Sequence, residues 1–160
     1  MNDSTAVIWI GLTPSILSGR SSLGGVAGMG MSLGVLSGHW EGRLAAAGTF
    51  RLAGCGGGCS RGVGILYDLA MLRRPRRIRH SAGPFFGGAV GYANGPGAPA
   101  ASLLGGGDVS VTRRVLLHLE LKFTQVFTGR YVADVEDPVV RNGLRQLVWA
   151  VGVTFTGPFY

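Results

Sequence analysis

The side chains that could do chemistry in this chain are few and scattered. His118, Glu120 and Lys122 stand at alternate positions, as do Glu41 and Arg43. Arg51, Asp68 and Asp108 stand in apolar or glycine-rich surroundings. Arg73, Arg74, Arg76, Arg77 and Arg79 crowd around Pro75, and Cys55 and Cys59 bracket a run of glycines. Nucleophilic catalysis needs a base within hydrogen-bond reach of a nucleophile. His80 and Ser81 are consecutive, so in an extended segment they face opposite sides. His118 has no serine two positions away. These spacings predict no catalytic centre, and nothing calls for a cofactor. Ionisable groups spaced by two instead share one face of a strand, where opposite charges can pair.

The cysteines leave several readings open. In Cys55-Gly56-Gly57-Gly58-Cys59 the glycines allow a turn tight enough for a loop disulfide. A disulfide suits an oxidising compartment. Free thiols are the second reading. A metal site is the third, and it lacks ligands, because tetrahedral zinc takes four and His39 is the one nearby candidate. A redox pair usually encloses two residues. The arginine cluster reads either as a solvated turn anchored at an interface or as a contact for anionic lipid phosphate. Nucleic acid is not expected, since no aromatics are interleaved with the arginines.

The elements that would carry these side chains show a period of two. Val115, Leu117, Leu119, Leu121 and Phe123 oppose Arg114, Leu116, His118, Glu120, Lys122 and Thr124. Leu147, Trp149, Val151, Val153 and Phe155 oppose Gln146, Val148, Ala150, Gly152 and Thr154. Such alternation marks β-strands. One face is broad and uncharged and the other small or ionisable, the pattern of strands with lipid outside and a polar lumen inside. Earlier segments repeat it, at residues 5–16, 25–36, 40–52, 63–71, 81–92 and 102–112. The turns read as residues 18–22, 37–39 and 94–97, and residues 128–142 form the longest polar loop. The connections after the third, fifth and seventh strands read as long, and Pro84 weakens the fifth strand. Eight strands result, an even number that closes an antiparallel barrel.

Composition agrees. Charged residues are 14% of the chain, against about 25% in soluble domains. Glycine is 29 of 160 residues, and the apolar content of 46% is spread out instead of collected in long runs. The net charge of +7 permits anionic partners without choosing among them. The run from Ser21 to Trp40 holds Gly30, Gly34 and Gly38 at helical spacing and is long enough for one membrane helix. Its six glycines argue against a helix, at about 1 kcal/mol each relative to alanine. No basic segment marks a signal peptide in Met-Asn-Asp-Ser at the start.

The segment Gly105-Gly106-Gly107-Asp108-Val109-Ser110-Val111-Thr112, followed by Val115 to Leu121, resembles the penultimate hairpin of small bacterial outer-membrane barrels of the outer-membrane protein A and X kind. Residues 147–155 resemble their closing strand, whose terminal aromatic is read by the barrel-assembly machinery. Here Trp149 and Phe155 belong to that strand, and Phe159 or Tyr160 is the alternative terminal aromatic. The resemblance implies a bacterial outer-membrane location, with membrane lipid or lipopolysaccharide and the assembly machinery as partners. Some such barrels deacylate lipid A, but the spacing above supplies no reactive pair.

The expectation is therefore one domain over residues 1–160: an all-β, eight-stranded antiparallel up-and-down transmembrane barrel, monomeric, with a plugged lumen. Glu41, Arg43, Arg51, Asp68, Asp108, His118, Glu120 and Lys122 would form the lumen charge network. Trp9, Trp40, Tyr92, Trp149 and Phe155 would supply aromatic girdles. The role implied is structural or surface-interacting. The alternatives are a lipid-binding or lipid-modifying barrel, or a soluble glycine-rich barrel with its apolar face as the core.

Overall fold

The computed structural model describes residues 8–22, 24–51, 64–75, 83–127 and 143–159. The cysteine loop, Arg76, Arg77, Arg79 and His80, and the polar loop at 128–142 lie outside the described residues. Eight strands follow one another: β1 (Ile8–Ser21), β2 (Gly24–Ser37), β3 (Trp40–Arg51), β4 (Gly64–Arg73), β5 (Gly83–Ala93), β6 (Ala98–Ser110), β7 (Val115–Val126) and β8 (Leu144–Phe159). Each pairs antiparallel with its sequence neighbour, and β1 pairs with β8, so the sheet closes as the up-and-down barrel expected from the alternation.

Closure sorts the side chains by parity. Most of the large apolar groups point outward, with Ile16 at 74% and Met29 at 73% relative exposure. Leu119, Leu121, Trp149 and Val151 belong to the same outer wall. All four carboxylates among the described residues, Glu41, Asp68, Asp108 and Glu120, point inward. The apolar face is thus the outside of the barrel and not its core. An eight-stranded barrel encloses only enough room for side chains, and glycine, alanine and serine at inward positions make space for the ionic ones.

The two ends differ. The end carrying the β2–β3, β4–β5 and β6–β7 connections has tight turns at residues 38–39 and 111–114. The opposite end carries the long connections after β3 and β7. Inside, this loop end is apolar: Leu66, Ala93, Ala98, Ala100, Val126 and Leu144 pack together, and Leu17, Val26 and Val148 form a second group across the barrel.

Several boundaries depart from the expectation. The loop expected at 18–22 is strand, because β1 runs through Ser21 and pairs with Gly24 of β2. β6 begins at Ala98, earlier than its alternation suggests, so the connection after β5 is the four-residue turn 94–97 and not a long loop. Pro99 disguised that start, yet it sits on the outer face next to the turn. Pro84 is accommodated because the β4 ladder stops at the Arg73–Phe86 pair, leaving only β6 beside it. The closing strand continues past Phe155, and Phe159 pairs with Ile8. Trp9 belongs to no outer girdle: it pairs with buried Leu36 and lines a lumen cavity.

Candidate functional site: the ionic lumen

Inward parity on β3, β6 and β7 brings most of the ionisable side chains to one level of the barrel. Arg43 Nε donates to Glu41 Oε1 at 2.9 Å. Its Nη1 donates to Glu120 Oε2 at 2.5 Å. His118 Nε2 lies 3.6 Å from that same oxygen, and its Nδ1 lies 2.7 Å from Asp108 Oδ1. Arg74 Nη2 reaches Asp108 Oδ2 at 2.6 Å, and its Nε donates to Glu41 Oε2 at 2.7 Å. The contacts close on themselves: Glu41, Arg43, Glu120, His118, Asp108, Arg74, and back to Glu41. Acid and base alternate all round the ring.

Phe85 of β5 fills its centre. The imidazole of His118 stacks on the phenyl ring, with centroids 5.4 Å apart and planes 7° from parallel. The Arg43 and Arg74 guanidinium carbons lie 4.9 and 5.0 Å from the Phe85 centroid. Two cations therefore share one π face system while each also pairs with carboxylates. Glycine is required at 106, where a Cβ would come within 2.8 Å of the Phe85 ring and 2.1 Å of the Leu119 carbonyl.

A second pair lies deeper toward the loop end, where Lys122 Nζ donates to Asp68 Oδ2. Between this pair and the ring is a cavity of about 60 Å³, bordered by Arg43, Asp68, His118, Glu120, Lys122 and Gln146. Asp68 Oδ1 and Gln146 Nε2 have no hydrogen-bond partner among the described residues. Hydroxyl pairs link neighbouring strands at Thr13–Thr154 (2.8 Å) and Ser102–Thr124 (2.9 Å).

Seven of the eight network residues named from the sequence thus point into the lumen. The eighth, Arg51, ends β3, and its side chain lies outside the described residues. Arg74 corrects the reading of the arginine cluster. It is no lipid contact; only 4% of the residue is exposed, and it bonds two lumen carboxylates. The alternation of β4 predicts this if carried one residue past Arg73, but the adjacent proline reads as a turn. Arg73 points outward and lies over Trp40, with its guanidinium carbon 5.9 Å from the ring. The roles of Arg74 and Phe85 were the features sequence reasoning missed.

Among the described residues no group of His, Cys, Asp and Glu has the geometry of a metal site. The ring's polar atoms already serve one another, so its chemistry is cross-linking.

A closed eight-stranded barrel with an apolar wall and an ionic interior is the architecture of small outer-membrane barrels. Two solved structures carry the comparison. Neisserial surface protein A aligns with a TM-score of 0.60 at 13% identity, over 92% of this chain and 96% of that one. The outer membrane protein OprG from Pseudomonas aeruginosa aligns with a TM-score of 0.52 at 10% identity, over 95% of this chain and 96% of that one. Identity this low establishes a shared fold. No family model and no curated protein matches the chain.

Two substitutions test the ring. Glu120→Leu leaves Arg43 and His118 facing each other without their shared carboxylate, and Arg74→Leu takes one of two partners from both Glu41 and Asp108. Removing one partner of a buried pair typically costs about 3–5 kcal/mol, so each should lower stability by that order in urea titrations of the refolded barrel. Arg73→Leu, one residue away but outside, should change stability by less than about 1 kcal/mol. Equal effects at 73 and 74 would refute the assignment of faces.

Proposed function

We propose that this chain is a bacterial outer-membrane β-barrel whose lumen is plugged by its own side chains and whose role is structural or surface-interacting. The observation that carries this reading is the inversion of polarity: large apolar side chains cover the outside, and the carboxylates face the inside. In water that arrangement would expose a continuous apolar belt, whereas in a bilayer it is the required one. The strands are 10 to 16 residues long, enough for the ~9–11 residues that a tilted strand needs to cross the hydrocarbon. The shared fold with outer-membrane proteins supports the same reading.

The ring with Phe85 at its middle and the apolar packing at the loop end support the plug. The two longest connections, after β3 and β7, leave the same end, as the external loops of such barrels do. Membrane lipid or lipopolysaccharide then contacts the wall. The long loops meet the outside, β8 is the strand the assembly machinery would engage, and a monomer suffices because closure leaves no edge to pair.

Electrophoresis in dodecyl sulfate of protein refolded into micelles tests the membrane reading. A compact unboiled band that shifts on boiling is expected. A single unshifted band from protein monodisperse in plain buffer would exclude a membrane barrel. A planar bilayer measurement tests the plug, and steady ion conductance from the refolded protein would overturn it. Leu119→Arg, on the outer wall at the middle of β7, should cost about 2–4 kcal/mol in lipid and Val109→Arg, near the turn end, only about 0–1. Equal costs would place both positions in the same medium.

A further inference from the structure

Charge on the outer wall is sparse and of one sign. Among the described strand residues, the outward charges are Arg20, Arg73 and Arg145, with no outward carboxylate. Arg73 belongs to the turn end, where it covers Trp40. Arg20 and Arg145 stand together at the loop end, on β1 and β8, the two strands of the closing seam. Arg20 is paired across the seam with Leu147, and Ser22 N donates to Arg145 O at 2.9 Å. The two arginines are therefore diagonal neighbours on one face, within about 7–8 Å of each other. Both are exposed, and neither pairs with a carboxylate among the described residues.

Arg145 is oriented sideways by Gln125 of β7, to whose Oε1 its Nε donates at 3.0 Å. That bond engages Nε and not the two terminal nitrogens. Ser18 is outward and exposed one step below Arg20, across from Trp149. Beneath this polar row the wall is continuous and apolar, formed by Leu147, Phe123, Trp149 and Ile16, each with at least 41% of its surface exposed. Two guanidinium groups above an apolar wall match the two parts of an acidic lipid: a phosphate that accepts forked hydrogen bonds, and acyl chains that lie along the hydrocarbon-facing strands.

We propose that Arg20 and Arg145, with Gln125 orienting the latter, clamp the phosphate headgroup of an acidic lipid against the β1–β8 seam at the loop end of the barrel. The proposal rests on the membrane reading above. It is separate from Arg73 and Arg74 at the opposite end, and it assigns the cationic rim to one wall, because the outward positions of β2 to β6 at the loop end carry no charge among the described residues.

The test uses the full chain refolded in a neutral maltoside detergent and native mass spectrometry of retained adducts. Three probes are added in parallel: short-chain phosphatidic acid, phosphatidylcholine of the same chain length, and inorganic phosphate. The wild type should retain phosphatidic acid at least tenfold more than phosphatidylcholine, and inorganic phosphate should leave no adduct. The pair of substitutions Arg20→Ser and Arg145→Ser should abolish that preference, and Gln125→Ala should weaken it severalfold. Ile65→Ser, on β4 across the barrel from the seam, should keep it. Undiminished preference in the double variant would overturn the clamp, as would equal retention of the two lipids by the wild type. An inorganic phosphate adduct as abundant as the lipid's would show a free-anion site and overturn the lipid assignment. Boiled and unboiled gels of each variant separate this from the membrane reading. A heat-dependent shift with no lipid preference removes the clamp alone, and a wild type without any shift removes both.

Discussion

Charge held out of water must be answered by charge, and the interior of this barrel is arranged around that requirement. Four carboxylates stand inside, and Arg43, Arg74, Lys122 and His118 answer them. Each such group costs several kcal/mol to desolvate, so a buried pair adds little over an apolar pair of the same shape. What the ring adds is specificity. Every member has two partners, so a register slip in β3, β4, β6 or β7 would strand more than one charge at once. Such a slip would also turn the apolar face inward, because side-chain parity reverses with a shift of one residue.

The outer wall follows from the same constraint. Side chains that satisfy the lumen occupy one parity of each strand and leave the other parity to meet the surroundings. A chain with 14% charged residues and 29 glycines has few polar groups to place there. Small residues inside and large apolar ones outside are thus two aspects of one allocation. Glycine at 106 shows it locally, since an outer-wall strand can approach Phe85 only where the inward position has no side chain.

Much of this architecture was legible in the sequence. The period of two identified the strands and separated the faces, because alternation is a local property of the chain. It placed Glu41, Arg43, Asp68, Asp108, His118, Glu120 and Lys122 inside. What alternation does not contain is which residues of distant strands share a level. Glu120 meets Arg43 from 77 positions away, and no local pattern announces that. Arg74 was hidden for another reason. It follows the last residue of β4, and its neighbour Pro75 marks the end of a strand, yet the side chain keeps the inward direction of the ladder it has just left. Trp9 was misplaced because aromatic residues near strand ends suggest a girdle, whereas its position relative to Thr13 sets it on the inner face.

The ring also bears on the order of assembly. Its six members come from β3, the residue after β4, β6 and β7, and Phe85 comes from β5. β1, β2 and β8 contribute none. The ring's cross-links therefore lie within a five-strand part of the sheet, and the seam between β1 and β8 is held by its own ladder, the Thr13–Thr154 hydroxyl pair, the Ser22–Arg145 bonds and the packing of Leu17 with Val148. The contacts within that sheet join residues far apart in sequence, which makes their formation slow. The meeting of the first and last strands is then the one closure in which no member of the ring takes part.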